Sequence, residues 1–452
     1  MIDPFVIIGA SGDLTARLLL PAVAELVERG QAPAGLSVTG VDRMDWSVEQ
    51  FRERMREALD AHATRASPKT RAEVLRRLHY RRADATSGEE LRRSLSGFNQ
   101  PVLAYLALPA HLFEPVLEAL SQAGLPERSV VAVEKPFGVD LASAHRLNEL
   151  LRLRFPTTLA FRTDHFLSDE LVQRIFALRF GNRVLESLWN QQHIERVTIT
   201  WDEMLTVEGR ASYYDRAGAL RDMIQNHLLE VLALVAMEQP ARIDERSLRD
   251  ARAAVLRSIP TLTVDQVRRR SVRARYAQGL IDGRQVPAYS TERGVEASRE
   301  TETFAELTLE LASWRWAGVP FILRTGKALS RAHAEVSVYF RFEPDRDFRN
   351  QRGGQNVLRI GLMEPYVRLA VNINGPDRTL VTSELELQSH ATGRLAYSNL
   401  LLDMLRGEPM LTLRGDEVEE AWRIVEPVLE GWRNGVVPMR EYPAGSTGPG
   451  GA

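Results

Sequence analysis

The sequence predicts two domains of different class, a doubly wound α/β domain followed by an α+β domain with a large, mainly antiparallel sheet. Three observations carry this expectation. Short apolar runs alternate with helical periodicities from Phe5 to Phe161, the pattern of parallel strands joined by crossover helices. A glycine-rich turn stands between the first apolar run and the first helical pattern. From Thr303 the apolar period becomes two, as in strands with one buried face.

Composition sets the bounds. A chain of 452 residues is too long for one ordinary core. Its 58 basic and 60 acidic side chains leave a net charge of −2, so there is no broad basic field and nucleic acid is not an expected partner. The one dense basic run, Arg268 to Arg275, reads as a solvated face. There is no cysteine, which excludes disulfides, thiolate metal sites and thiol nucleophiles and suits a reducing cytoplasm. The first residues enter a strand-like run without a basic leader, and no window approaches the roughly 18 apolar residues of a membrane span. Neither a targeting segment nor a membrane partner is expected.

In chain order, the run Phe5–Ile8 meets Gly9-Ala10-Ser11-Gly12-Asp13-Leu14, and a helix follows through Leu18, Ala22 and Leu26. Backbone N–H groups at a helix start, approached through small residues, bind a pyrophosphate, although Ser11 stands where the usual dinucleotide fingerprint has its second glycine. The strand Leu36–Val41 ends in Asp42-Arg43, at the distance where the adenosine ribose is read. An acid there favours the 2′-hydroxyl of NAD and an arginine the 2′-phosphate of NADP; this chain has both. Helices are expected at Ser47–His62 and Pro68–Arg77, then a strand at Val102–Leu108 ending at Pro109, a helix near His111–Ala123, a strand at Ser129–Val133 leading into Glu134-Lys135-Pro136, and a helix from Leu141. Thr158–Phe161 is the next strand and delivers Arg162, Asp164 and His165. Each polar motif lies at the carboxyl end of a strand, where ligands bind in such sheets. The first domain is therefore placed at residues 1–165.

The second domain is placed at 166–442, with 443–452 expected as a flexible tail. Leu171–Leu188 reads as helix, Arg196–Met204 as strand, and Ala219–Ala236 as a long apolar helix interrupted by Arg221, Asp222, Gln225, Asn226 and His227. Asp222 and Asn226, four apart, share a face, with His227 beside them. Such a polar cluster in a buried helix is either internally satisfied or functional. Five alternating segments between Phe304 and Ser389 read as strands, and helices follow near Tyr397–Leu405 and Asp416–Trp432.

Taken together the motifs resemble the glucose-6-phosphate dehydrogenase family: GASGDL at Gly9, YLALP at Tyr105, EKPFG at Glu134, RTDHFL at Arg162, EGRASYYD at Glu208, RDMIQNHLLEVLALVAME at Arg221, WRWAGVPFILRTGKAL at Trp314 and AWRIVEP at Ala421. The resemblance implies a Rossmann-like first domain and oxidation at C1 of a hexopyranose to its lactone, with hydride passing to NADP or NAD. It implies His227 as the base, Asp164 as the acid that orients it, and Lys135 between cofactor and sugar, followed by a possible cis proline at Pro136. Cofactor contacts are implied from Gly9 to Leu14 and at Asp42, Arg43, Leu108, Pro109, Glu134 and Lys135. Arg43 matches the family's 2′-phosphate contact and favours NADP, while Asp42 replaces a small residue and leaves NAD open. Glu203, Asp222 and Lys327 match positions that hold sugar hydroxyls, and Asn226 joins them. A homodimer or homotetramer built on the antiparallel sheet is also implied.

The departures from the family pattern fall where the sugar's 6-phosphate is held. His165 remains, but Phe166 stands for a tyrosine, Asp169 for a lysine and Ala332 for a cationic residue, with Arg331 and His333 as neighbouring candidates to serve instead. Leu18 likewise replaces a basic residue near the nicotinamide end. A carboxylate against a phosphate dianion is a like-charge clash costing on the order of several kcal/mol. Two substrates are therefore expected as alternatives: glucose 6-phosphate, or a hexose without the phosphate, neutral or carrying a 6-amino group. A non-catalytic cofactor-binding homologue is the alternative of another class.

Overall fold

The computed structural model describes residues 1–207, 209, 211–342, 353–376, 379–388 and 393–450. Glu208 and Arg210 of the EGRASYYD motif, residue 389 at the end of the last predicted strand, and residues 451–452 of the expected tail lie outside them. The chain divides into two compact units, one made of Met1–Glu170, Ala241–Arg249 and Gly393–Glu419, the other of Leu171–Pro240, Asp250–Thr392 and Glu420–Ala452.

The first unit holds a six-stranded parallel sheet: β1 (Pro4–Ile8), β2 (Ser37–Asp42), β3 (Leu78–Arg82), β4 (Leu103–Leu106), β5 (Val130–Val133) and β6 (Leu159–Arg162). Its spatial order is β3-β2-β1-β4-β5-β6, the doubly wound order whose switch point lies between β1 and β4. Strands β1, β4 and β5 are buried along their whole length, which is why they read as continuous apolar runs rather than alternating ones. β3, with the polar sequence LHYRR, has no such signal, because it is the edge strand and half of it is solvated.

The helix Ala396–Arg406 also belongs to this unit, contrary to the boundary expected from sequence. Leu400, Leu401, Met404 and Leu405 follow the helical period and lie in one buried cluster with Phe5, Leu20 and Val23. Each such side chain contributes about 1.5–3 kcal/mol of burial. Gly407, at φ +70°, closes the helix in the left-handed conformation.

In the second unit the strands are β7 (Ile194–Asp202), β8 (Ser271–Ala277), β9 (Gly279–Ile281), β10 (Arg284–Val286), β11 (Phe304–Leu309), β12 (Phe321–Gly326), β13 (His333–Phe340), β14 (Val357–Gly361), β15 (Tyr366–Asn374), β16 (Leu380–Gln388) and β17 (Met439–Pro443). Nine of them form one sheet in the order β16-β15-β14-β13-β7-β12-β11-β8-β17. It is mainly antiparallel, but β7 pairs with β12, and β8 with β17, in parallel.

Two expectations for this unit are corrected. The basic run is a solvated face only in part: Arg268 and Arg269 are exposed, but Arg273 is buried on β8, donates to the Val437 carbonyl at 2.9 Å and faces Glu300. Residues 443–448 are not a free tail either. Leu280 N–H donates to Ala444 O, Gly445 N–H to Ala328 O, Ser330 N–H to Ser446 O, and the Arg324 guanidinium to Thr447 O. Small residues there allow close approach to the sheet rather than disorder.

Candidate active site

In the first unit every predicted site residue stands at or just after the carboxyl end of a strand. Gly9 follows β1 at φ +91°, and a Cβ on it would meet the Ala107 carbonyl at 2.5 Å and the Leu108 side chain at 2.6 Å. Only glycine fits there. The turn is tied down by Gly9 N–H and Ala10 N–H to Val41 O and by Gly12 N–H to Gly9 O, at 2.9, 3.3 and 3.2 Å. Ser11 N–H donates to the Asp42 carboxylate at 2.9 Å. The helical run beginning at Asp13 has first-turn N–H groups with no intrahelical acceptor, the donor set a pyrophosphate needs. Thr15 Oγ1, buried in that first turn, has no hydrogen-bond partner. Glycine cradle, helix start and Asp42-Arg43 together suit a dinucleotide.

Glu134 and Lys135 follow β5, and the Lys135-Pro136 peptide is cis. Glu134 is buried: the Tyr105 hydroxyl donates to it, as do Tyr397 at 3.1 Å and the Lys135 N–H at 3.2 Å. Burial pushes its carboxyl up, against the lowering effect of these donors. Asp164 is buried two residues past β6 and accepts the Phe166 N–H at 2.9 Å. His165 is half-buried and stacks on Tyr397 at 5.2 Å between centroids, with Phe166 edge-on at 5.0 Å. Asp169 is half-buried, its N–H closing a turn onto Phe166 O. Arg162 turns inward instead: its Nε donates to Asn148 Oδ1 at 2.9 Å and its guanidinium covers Phe137. Burial, reinforced by Arg249, pulls its pKa down to about 10.

Tyr397 was not anticipated. One side chain supports both Glu134 and His165, yet it comes from a helix far along the chain with nothing but a helical apolar period to mark it.

In the second unit Leu220–Leu228 is not α-helical but π-helical, and runs into an α-helix at Leu229–Ala236. A π register hydrogen-bonds residues five apart and turns less per residue than an α-helix, so it brings His227 closer to the side of the helix that carries Asp222. His227 is buried. Asn226, expected at the sugar, is used within the helix: its Oδ1 accepts the His227 N–H at 2.6 Å and its Nδ2 donates to Arg221 O at 2.9 Å.

Glu203 and Lys327 form an ion pair because β7 and β12 run parallel in register, Asp202 opposite Gly326, so both chains emerge side by side. The Lys327 ammonium also lies 5.2 Å above the Tyr214 ring. Tyr214 is buried, its pKa pushed well up by desolvation and then by Asp222 and other carboxylates including Glu203. Glu203, Lys327, Asp222 and Tyr214 are thus electrostatic neighbours. Arg331 and His333 line a charged cavity of about 370 Å³ with Ala332, Glu335, Arg359, Arg368 and Glu384, and both act on the Asp202 carboxyl next to Glu203. No helix among the described residues is long and apolar enough to cross a membrane.

Comparison with known proteins covers nearly the whole length. A family model described as glucose-6-phosphate dehydrogenase, NAD binding domain, matches residues 6–174, and one described as glucose-6-phosphate dehydrogenase, C-terminal domain, matches residues 176–452. The glucose-6-phosphate 1-dehydrogenase of Treponema pallidum is 38% identical over 474 residues, covering 98% of this chain and 91% of that protein. That of Gluconobacter oxydans is 38% identical, covering 99% and 95%. Among solved structures, the glucose-6-phosphate 1-dehydrogenase of Mycobacterium avium superposes with a TM-score of 0.87 at 34% identity, covering 99% of this chain and 95% of that one. A glucose-6-phosphate dehydrogenase in complex with its substrate glucose-6-phosphate gives 0.88 at 30% identity, covering 99% and 96%.

Proposed function

The chain belongs to the glucose-6-phosphate dehydrogenase family, an NAD(P)-dependent dehydrogenase, and from that premise we propose that it oxidises C1 of glucose 6-phosphate to the lactone. The nicotinamide, when bound, supplies the hydride acceptor. The chain's own residues do the rest. His227 takes the C1 hydroxyl proton as the hydride leaves C1, the task of a general base. Asp164 steadies the imidazolium that results. Lys135 lies between cofactor and sugar, and Glu203, Asp222 and Lys327 hold sugar hydroxyls. The observation that carries this reading is the end-to-end family match combined with retention of all six of these side chains.

A second reading keeps the chemistry and changes the sugar. Phe166 is a buried phenyl ring, Asp169 is acidic and half-buried, and Ala332 has no charge, at the positions where the family resemblance implies a tyrosine, a lysine and a cation for the 6-phosphate. That set favours glucose or a 6-amino sugar. Steady-state assays with glucose 6-phosphate, glucose and 6-amino-6-deoxyglucose decide between them; a glucose 6-phosphate kcat/KM at least about a hundredfold above the others, roughly 2.7 kcal/mol, removes the second reading. His227→Asn is expected to abolish turnover with dinucleotide binding retained, and unchanged turnover would refute the base assignment. A cytoplasmic homodimer or homotetramer completes the proposal; exposed Ile373, Leu385 and Leu387 on the outer strands β15 and β16 support association through the sheet. Light scattering of the purified protein tests it.

A further inference from the structure

We infer that Asp42 is a specificity-determining residue that turns the cofactor site towards NAD, the dinucleotide without a 2′-phosphate. The inference rests on the dinucleotide-binding reading of the glycine turn and deepens it.

Asp42 is the last residue of β2, and its carboxylate is held at both oxygens by main-chain donors: Oδ2 by Ser11 N–H at 2.9 Å, Oδ1 by Met44 N–H at 3.4 Å. Through the first bond it is tied to the middle of the phosphate turn, the point from which an adenosine ribose reaches β2. A carboxylate there keeps lone pairs for the ribose 2′- and 3′-hydroxyls. It cannot swing away from a 2′-phosphate without giving up the bond that braces the turn. Arg43, the residue that suits a phosphate, is exposed beside it.

The surroundings reinforce the acid. Asp45 pairs with Arg82 at 3.0 Å, both side chains exposed. Arg43 also feels Asp84, whose carboxyl is held low by hydrogen bonds from Thr86 and, less, by that guanidinium. The Tyr80 hydroxyl, which donates to Met44 O at 2.7 Å, is pushed up to about 12 by burial and then by Asp42, against Arg82. Three carboxylates, Asp42, Asp45 and Asp84, thus face two guanidiniums at the end of β2. A phosphate dianion enters a rim that is acidic on balance, while a neutral ribose meets a fixed acceptor.

The test needs no sugar. Dissociation constants of the full-length protein for NADH and NADPH are measured by nicotinamide fluorescence, for wild type, Asp42→Asn and Arg43→Ala. Asparagine keeps an oxygen for Ser11 N–H and removes only the charge. The wild type is expected to bind NADH at least as tightly as NADPH, and Asp42→Asn to shift the ratio towards NADPH by about tenfold. Arg43→Ala is expected to shift it the other way, mainly through NADPH. NADPH bound tenfold tighter by the wild type, or a ratio unchanged in Asp42→Asn, overturns the inference. If neither dinucleotide binds, the reading of the glycine turn falls and the inference with it. If both bind with the expected ratio but no sugar is oxidised, the proposed reaction fails and the inference stands.

Discussion

The Asn226 side-chain oxygen accepts the backbone N–H of His227 at 2.6 Å, while the same amide donates to Arg221 O at 2.9 Å, so one side chain stitches the π-helical turn from which His227 projects. Asn226→Leu fills a similar volume and leaves both backbone groups without that partner. A loss of about 1–3 kcal/mol is expected for such buried groups. The π register itself is expected to relax towards α, rotating His227 away from the side of Asp222. Calorimetry reads the first effect. Loss of kcat with unchanged dinucleotide affinity reads the second, and an unaltered kcat would show that the turn holds its register without the amide.

Tyr397 joins Glu134 and His165 through different parts of one side chain, its hydroxyl and its ring. The two contacts separate by substitution. Tyr397→Phe keeps the stacking on His165 and removes one of the donors that stabilise a buried carboxylate, at a cost of about 1–2 kcal/mol in stability. Tyr397→Ala removes the half-buried ring as well, for which a larger loss than in the phenylalanine variant is expected. If His165 serves the sugar, the sugar KM rises clearly in the alanine variant and little in the phenylalanine variant. Equal KM values in the two would separate His165 from substrate binding.

Asp403 lies in the helix Ala396–Arg406, and burial, with Glu408 adding to it and Arg406 opposing it, raises its carboxyl to about 7. The sign follows from linkage. Below pH 4 the carboxyl is protonated in folded and unfolded chains alike and costs nothing. Between roughly pH 4 and 7 the unfolded chain ionises first, so the folded state loses stability as pH rises, by on the order of 1–3 kcal/mol after allowance for solvent screening. Asp403→Asn is therefore expected to raise Tm at pH 7.5 and to leave it unchanged near pH 4. An equal gain at both pH values would assign the effect to packing instead of charge.

Much of this was legible in the sequence, for identifiable reasons. Buried parallel strands such as Val130–Val133 are apolar throughout, and the glycine turn after β1 is dictated by a contact only Gly9 permits, so both leave strong local signals. Asp42 also closes a strand expected from its apolar run, whereas the strand Phe321–Gly326 that leads to Lys327 had no such expectation. What was not legible depends on groups distant in sequence or on register. Nothing near Tyr397 shows that its helix buries Leu401 and Met404 beside Phe5 and Val23. Nothing in Asp222-Met223-Ile224-Gln225-Asn226-His227 distinguishes a π from an α turn, so the bonds of the Asn226 amide to its own helix leave no local signal. The polar strand Leu78–Arg82 has half its surface in water and lacks the apolar run that marks its neighbours.

The glycine and small residues after β17 predict a flexible tail, and those same residues let the segment lie close against the turn that carries Lys327. The Tyr442 hydroxyl donates to Lys327 O at 2.7 Å, Gly445 N–H donates to Ala328 O at 2.8 Å, and Ser330 N–H to Ser446 O at 2.8 Å. Ala328 is at φ +52°, a conformation that costs a non-glycine residue on the order of 1 kcal/mol and persists only where its surroundings hold it. Removing residues 446–452 deletes the Ser330 and Arg324 contacts while leaving Tyr442 and Gly445 in place. If Lys327 holds a sugar hydroxyl, this truncation raises the sugar KM several-fold, with NADH affinity and the thermal transition of the first unit unchanged. Tyr442→Phe, which removes the nearer hydrogen bond, is expected to raise it further and to lower stability by about 1 kcal/mol. A truncated protein with wild-type KM would show that the turn keeps its shape through the Lys327–Glu203 pair and the β7–β12 register alone.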